Sequence, residues 1–139
     1  MKWKSVDNKF ILKVEKGELV HHSLVQFCKD QGIKNASITG IGAVQHVKCG
    51  YYDLANKTYL FKECHDVVEV ASYQGNIMIK EDDLFVHAHG TFSDPDNQVF
   101  GGHVDEMTVG VVMEIILTPL SSTIERTYDE AIGLYLMDI

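Results

Sequence analysis

Three of the seven histidines fall in one short segment, between residues 87 and 103. Side chains along a strand alternate between its two faces, so His87 and His89 share a face. Directly opposed residues of a hairpin also share a face, so His103 joins them if the loop around residues 94–97 has an odd number of residues. Neutral imidazoles are common ligands of zinc and similar ions, and three of them leave a position for water or another ligand. The spacing predicts a divalent-metal site at these three histidines, with zinc as the expected ion.

A polar sheet face at a contact between subunits would explain the same three histidines without any metal. The adjacent Gly101 and Gly102 favour the metal site, because glycine allows neighbouring backbone to approach the cluster closely. The other four histidines, at positions 21, 22, 46 and 65, share no such spacing. We expect them to be ordinary surface or edge residues.

Two glutamates stand inside apolar runs, at positions 69 and 114. A carboxylate in apolar surroundings needs a partner, because an unpaired buried charge is costly. Glu69 or Glu114 could therefore act as a general base or orient a metal-bound histidine. Backbone donors, or a wet channel between subunits, would satisfy the same carboxylates without any role in chemistry.

The composition limits the functional classes. The chain has 139 residues, of which 45% are hydrophobic and only two are proline, as in a packed globular protein. Its formal net charge is −8 and Arg126 is its only arginine, which argues against a grip on nucleic acid, since phosphate binding needs a concentrated cationic surface. Three widely spaced cysteines give neither a disulfide framework nor a zinc knuckle, and no stretch has the apolar length of a signal peptide or membrane span. These features predict a cytosolic protein that does not enter a membrane.

Strands dominate the predicted structure. Residues 10–14 form a first strand, and residues 18–31 follow with apolar positions at helical spacing and Gly32 just past their end. The later apolar runs are short, with turn residues such as those at 74–76 between many of them. These predicted strands cover residues 36–41, 44–52, 58–61, 67–72, 76–79, 84–92, 99–104 and 109–117.

This order of elements is typical of the α+β class, with a largely antiparallel sheet and one main helix packed on it. One helix covers only one face of a long sheet, so we expect another subunit to cover the other face. A single domain is expected over residues 1–139, with its core at about residues 8–120. The tail at 121–139 is expected to add an edge strand or an inter-subunit contact.

Several short motifs follow one another in a characteristic order. They are Lys16-Gly17-Glu18, Ile38-Thr39-Gly40-Ile41-Gly42-Ala43, Cys49-Gly50-Tyr51-Tyr52-Asp53, Val68-Glu69-Val70 leading to Gln74-Gly75-Asn76-Ile77, Phe85-Val86-His87-Ala88-His89, Gly101-Gly102-His103 and Met113-Glu114-Ile115. None of them is specific alone. Their order and spacing together resemble the PPC domain (plants and prokaryotes conserved) across nearly the whole chain.

The resemblance implies an α+β domain assembled as a homotrimer, with the histidine cluster of each subunit near an inter-subunit surface. Bacterial and archaeal members of this family are described as predicted DNA-binding proteins, so the resemblance implies DNA as a partner while the charge opposes it. Three functions stay open. They are a trimeric regulatory or DNA-associated module, a metal-dependent enzyme acting on a small molecule, and a metal- or small-molecule-binding protein without turnover.

Overall fold

The computed structural model describes all 139 residues and contains one helix and nine strands. In chain order the elements are β1 (Lys2–Val6), β2 (Lys9–Glu15), α1 (Val20–Gln31), β3 (Ala36–Asp53), β4 (Thr58–Cys64), β5 (Val68–Lys80), β6 (Asp83–Ser93), β7 (Val99–Pro119), β8 (Glu125–Asp129) and β9 (Leu134–Met137). All strand pairings are antiparallel except that of β5 with β8. The mostly antiparallel sheet with one helix is confirmed.

The helix carries the buried apolar stripe that its spacing predicts, formed by Val20, Leu24, Phe27 and Cys28. Gly32 ends it in the left-handed conformation, with φ of 67°. The first turn has no side-chain cap of its own. Instead Glu106 of β7 accepts the backbone N–H groups of His21 and His22 at 2.8 and 3.2 Å, which fixes the helix start against the sheet. No helix in the protein has the length and apolar character to cross a membrane.

The sheet folds back on itself. Strand β3 pairs with both β5 and β7, and β6 pairs with the same two strands, so these four strands form a closed ring of hydrogen-bonded neighbours. One cluster of 24 buried residues joins the helix to the inner side chains of the strands. The ring covers much of its own inner face, so the shortage of helices does not by itself require a second subunit, and the cover by another subunit stays a prediction.

Three of the strands, β3, β5 and β7, each join two predicted strands into one. Strand β3 runs through Gly40 and Gly42 with a shift of register rather than a break, as a bulge allows. The turn predicted at residues 74–76 is wrong, since these residues lie inside β5. A Cβ atom on Gly75 would come within 2.2 Å of the carbonyl oxygen of His87, so this glycine serves close strand approach rather than chain reversal.

The last residues form a hairpin of β8 and β9 at the end of the sheet. Only two residue pairs join β8 to β5, through Ile79 and Lys80. Further anchors come from the side chain of Asn35, which bonds both backbone groups of Ile124, and from the hydroxyl of Tyr52, which donates to the carbonyl of Ile132 at 2.7 Å. We call residues 122–139 the C-terminal hairpin.

Candidate metal centre

The hairpin of β6 and β7 sets the register on which the histidines depend. Its strands end at the directly paired Ser93 and Val99, which leaves a loop of five residues. The Asp94 carboxylate accepts the backbone N–H groups of Asp96 and Gln98 at 2.9 and 2.8 Å, which stabilises the loop. This odd-numbered loop places His89 directly opposite His103.

The three histidines come together on one face of the hairpin. Their ring centroids are 5.5 Å apart for His87 and His89, 5.2 Å for His87 and His103, and 5.6 Å for His89 and His103. One ring nitrogen from each lies within 4.8 Å of the other two. The alternate side chains of Val86 and Ala88 are buried in the core. One face of the strand thus serves packing while the other presents imidazoles. We call His87, His89 and His103 the histidine triad.

The two glycines before His103 permit this approach. A Cβ atom on Gly101 would meet the carbonyl oxygen of Gly90 at 2.2 Å, and one on Gly102 would meet that of Gly50 at 2.5 Å. Side chains at these positions would push β7 away from β6 or β3. The glycines therefore keep His103 within reach of the other two histidines.

Aromatic side chains flank the triad. Tyr59 of β4 stacks on His103 with ring centroids 4.5 Å apart and planes inclined by 30°, and Phe61 stacks on Tyr59 at 5.2 Å. On the other side Phe85 lies 6.4 Å from His87. His87 and His103 are therefore partly buried, while His89 is exposed.

This environment favours neutral imidazoles. Burial is the largest cause that lowers the pKa of His87 to about 4, followed by the charges of Arg126 and His89. Burial also lowers the pKa of His103 to about 4, aided by the neighbouring histidines and opposed by Asp105. Both rings therefore keep a lone pair at neutral pH, which is the form that binds metal.

Sequence reasoning missed Arg126, which the C-terminal hairpin brings to the triad. Its Nη2 lies 3.0 Å from Nδ1 of His87 and donates to Oδ1 of Asn76 at 2.9 Å, while Nη1 donates to the carbonyl of Tyr135 at 3.0 Å. Only 7% of this arginine is exposed. Nothing in the local sequence signals the contact, because His87 and Arg126 are 39 residues apart.

His21 was also placed wrongly, since it is buried and not on the surface. It precedes Leu24 by three residues and Cys28 by seven, so helical spacing puts it beside the apolar stripe, and this signal could have located it. Burial lowers the pKa of His21, with Glu106 and Asp105 acting in the opposite direction. It lines a cavity of about 290 Å³ together with His103, and its Nε2 has no hydrogen-bond partner.

The remaining candidates lie elsewhere. Glu69 and Glu114 are exposed and share a different cavity beside Gly42, of about 520 Å³, so of the two roles left open for them the structure gives no support to the orienting of a metal-bound histidine. Each run that looked continuously apolar is an alternating strand, with buried neighbours and the glutamate pointing outwards. His46 and His65 are exposed, as expected, and face each other with Nδ1 atoms 3.2 Å apart, a contact that the sequence spacing did not indicate.

Comparison with known proteins supports the same fold. A family model for the Plants and Prokaryotes Conserved (PCC) domain matches residues 1–121. Comparison with curated proteins gives no match.

Three solved structures illustrate the similarity. A plant- and prokaryote-conserved (PPC) protein from Pyrococcus horikoshii shares 32% identity with a TM-score of 0.89, covering 99% of this chain and 95% of that one. A metal-containing protein from Archaeoglobus fulgidus shares 34% identity with a TM-score of 0.90, covering 100% of both. A candidate DNA-binding protein from Bacteroides thetaiotaomicron shares 28% identity with a TM-score of 0.94, covering 99% and 96%. The chain therefore belongs to the Plants and Prokaryotes Conserved domain family, written PCC or PPC.

Proposed function

We propose that this protein binds a divalent transition-metal ion, with zinc preferred, through His87, His89 and His103. The convergence of three imidazole nitrogens within 4.8 Å of one another carries the proposal. Small ring rotations would bring them to the spacing of about 3.4 Å that zinc–nitrogen bonds of about 2.0–2.1 Å require. The metal content of the Archaeoglobus relative supports the same assignment.

Two features of the site fit a metal ion. The Nδ1 atom of His103 is buried without any hydrogen-bond partner, a state that costs free energy unless something else satisfies the atom. The lowered pKa of His87 and of His103 keeps both rings neutral at physiological pH. An ion held by three protein ligands would supply a further position for a water molecule or a ligand. Glu69 and Glu114 line a separate cavity that includes none of the triad, which favours binding over turnover.

Elemental analysis of protein purified without a histidine tag tests this proposal. The wild type should carry about one ion per chain, since three nitrogen ligands form one site. His87→Ala and His89→Ala should lose most of it, whereas His22→Ala, an exposed histidine on the helix, should retain it. Equal metal content in all four proteins would overturn the assignment.

We further propose that the protein is a cytosolic homotrimer. Large apolar side chains supported by strands β3, β4 and β7 are exposed, including Tyr51 at 69%, Val99 at 69% and Leu60 at 56%. Tyr51 and Leu60 are direct partners across β3 and β4 and line a mostly apolar cavity of about 580 Å³ with Phe100. An apolar surface of this kind suits a subunit contact. The three free cysteines suit a reducing compartment.

Analytical ultracentrifugation tests the assembly. A trimer of 15.6 kDa subunits should sediment at three times the monomer mass at micromolar concentration. Leu60→Glu should dissociate it, because the charge would be buried at the contact. Leu120→Glu, at an exposed site after β7, should leave it intact. A wild type that sediments only as a monomer would remove this part of the proposal.

A second candidate function, association with nucleic acid, is favoured by one lysine-rich surface. The register of β1 and β2 puts Lys2, Lys4, Lys9 and Lys13 on the same exposed face of this two-stranded ribbon. The name of the Bacteroides relative points the same way. The net charge of −8 opposes it, and Lys2 is already paired with Glu15 at 3.0 Å. The only arginine is buried at His87 and adds nothing to a binding surface.

Gel retardation of duplex DNA over a range of salt separates the two functions. If this face binds phosphates, Lys4→Gln with Lys9→Gln should weaken binding and lower the salt slope by about 0.9 for each lysine lost. Lys34→Gln removes an exposed lysine from another surface and should change neither. Absence of retardation by the wild type at low salt would eliminate DNA binding and leave the metal proposal untouched.

A further inference from the structure

His87 has only one lone pair to offer. A neutral imidazole carries its proton on one ring nitrogen and accepts through the other. A guanidinium has five donors and no acceptor, and it stays protonated in proteins. The contact of 3.0 Å between Nη2 of Arg126 and Nδ1 of His87 therefore engages the lone pair of the histidine.

Coordination of a metal by His87 requires the same lone pair. If the ion binds Nδ1, it takes the place of the guanidinium directly. If the ion binds Nε2, the ring proton must move to Nδ1, where the N–H would then face an N–H group of Arg126. Neither tautomer of His87 can bind the metal ion and accept from Arg126 at the same time. In both cases the ring keeps one proton.

We propose that a metal ion and Arg126 compete for the lone pair of His87, so that metal binding displaces Arg126 and loosens the C-terminal hairpin. This inference rests on the proposed metal site at the triad. The mobility of the C-terminal hairpin then depends on whether the triad holds a metal ion.

The surroundings of Arg126 suit a displaceable group. Its other hydrogen-bond acceptors, Oδ1 of Asn76 and the carbonyl of Tyr135, are uncharged. Its Nε is buried without a partner. A buried cation without a carboxylate is held at a cost, because it has lost water and gained no opposite charge. Burial accordingly lowers the pKa of Arg126.

The C-terminal hairpin is attached lightly enough to respond. Residues 122–139 lie outside the part of the chain that matches the family model. Their pairing with the main sheet is limited to two residues of β5, and the remaining anchors are a few side-chain hydrogen bonds. Loss of the Arg126 contacts would remove the only link between this hairpin and the triad's His87.

Metal affinities measured with a competing chromophoric chelator test the competition. Arg126→Met, which keeps much of the length but has no donor, should bind zinc about tenfold or more tightly than the wild type, a change equivalent to about 1.4 kcal/mol, since the rival hydrogen bond is gone. Lys34→Met is the matched control, since Lys34 is exposed and lies outside both the triad and the C-terminal hairpin. It should bind zinc like the wild type.

Hydrogen exchange of the wild type supplies a readout that needs no variant. Addition of zinc should speed amide exchange in residues 125–137 while the core strands remain protected. Unchanged affinity in Arg126→Met, or slower exchange of the hairpin with zinc, would overturn the competition.

The two proposals fail in different ways. A wild type that takes up no zinc, or binds it independently of His87, overturns the metal site and the competition with it. A wild type that needs His87 for zinc but shows the same affinity in Arg126→Met keeps the metal site and loses only the competition.

Discussion

The protein has two separate clusters of histidines, the pair His46 and His65 and the histidine triad, and the two differ in burial and in the number of nitrogens they offer. The Nδ1 atoms of His46 and His65 are 3.2 Å apart, whereas the ring nitrogens of the triad lie within 4.8 Å of one another. Yet the side chain of His65 is 68% exposed. The nearest additional ligand, the Glu63 carboxylate, lies 3.7 Å from the opposite ring nitrogen of His65. The triad offers three nitrogens on a partly buried face lined by aromatic rings.

The difference shows that proximity of two imidazoles is a weak signal for a metal site. Two exposed rings can turn away to water at little cost, whereas partly buried rings are held by their neighbours. A third ligand also raises affinity, since the ion then replaces more of its water shell with fixed donors. The four predictions below test this contrast.

The largest expected effect is on metal affinity. His103→Ala removes the ligand that β7 contributes and should lower zinc affinity by about a hundredfold or more, while His65→Ala should change it by less than about threefold. Isothermal titration calorimetry of the two variants measures both. Similar losses in the two would mean that the exposed pair contributes to binding and that the contrast is wrong.

A smaller effect is expected from the ring that covers His103. Tyr59→Ala frees the stacked imidazole and admits water, so zinc affinity should fall about tenfold, as for other groups that orient metal ligands. Tyr59→Phe keeps the stacking ring and should stay near the wild type. If both variants bind alike, stacking does not position His103.

The lowered pKa values predict a loss of stability in acid. His87 and His103 have a pKa of about 4 when folded, against about 6.5 in the unfolded chain. Between these values the unfolded chain binds more protons, so the free energy of unfolding falls as the pH drops from about 6.5 to about 4, and is fully present above 6.5. Each ring should contribute on the order of 1 kcal/mol, because both are partly solvated and screening reduces the full effect. Urea unfolding of metal-free protein at pH 7 and pH 5 measures this loss.

A variant sharpens the acid experiment. His103→Gln should show a smaller drop in stability between pH 7 and pH 5 than the wild type, because one shifted group is gone. His22→Gln, which changes an exposed histidine, should show the same drop as the wild type. A drop of wild-type size in His103→Gln would locate the acid sensitivity elsewhere.

The smallest effect is expected at the exposed pair. His46 has φ of 50°, a left-handed conformation that asparagine adopts readily. His46→Asn should therefore alter the free energy of unfolding by no more than about 0.5 kcal/mol. Thermal unfolding at neutral pH is sufficient to check this, and a clear destabilisation would show that the contact with His65 matters.

Local pattern predicted much of the fold. The period of two around His87 and His89 gave the shared face, and the spacing of Leu24 and Cys28 gave the helix and its buried side. The family was predicted from motifs in order, and the match of residues 1–121 to the PCC model confirms it. The full length of the long strands was not predicted, because glycine occurs in turns as well as in strands. Gly42 lies at a bulge and Gly75 at a close approach of two strands, and neither ends its strand.

Contacts between segments that are distant in the sequence could not be predicted from it. The exposed position of Glu69 depends on which face of β5 meets the core, and an apolar run does not reveal that. The burial of Arg126 depends on where a late hairpin docks, which short-range spacing does not encode. The nearness of His46 to His65 depends on how β3 and β4 pair.

The sequence by itself determined the chemical set, namely three histidines at odd-numbered positions and two permissive glycines, while the five-residue loop that puts His103 opposite His89 was seen only in the structure. Which side chains share a face of a strand follows from their spacing in the sequence, so it can be predicted without knowing the fold. Only the tertiary structure decided the environment of that set. The pairing of β3 with β4 on one side and β7 on the other brought Tyr59 over His103, and docking of the C-terminal hairpin brought Arg126 to His87. Burial and charge depend on neighbours far away in the chain, and these neighbours meet only when the whole core packs.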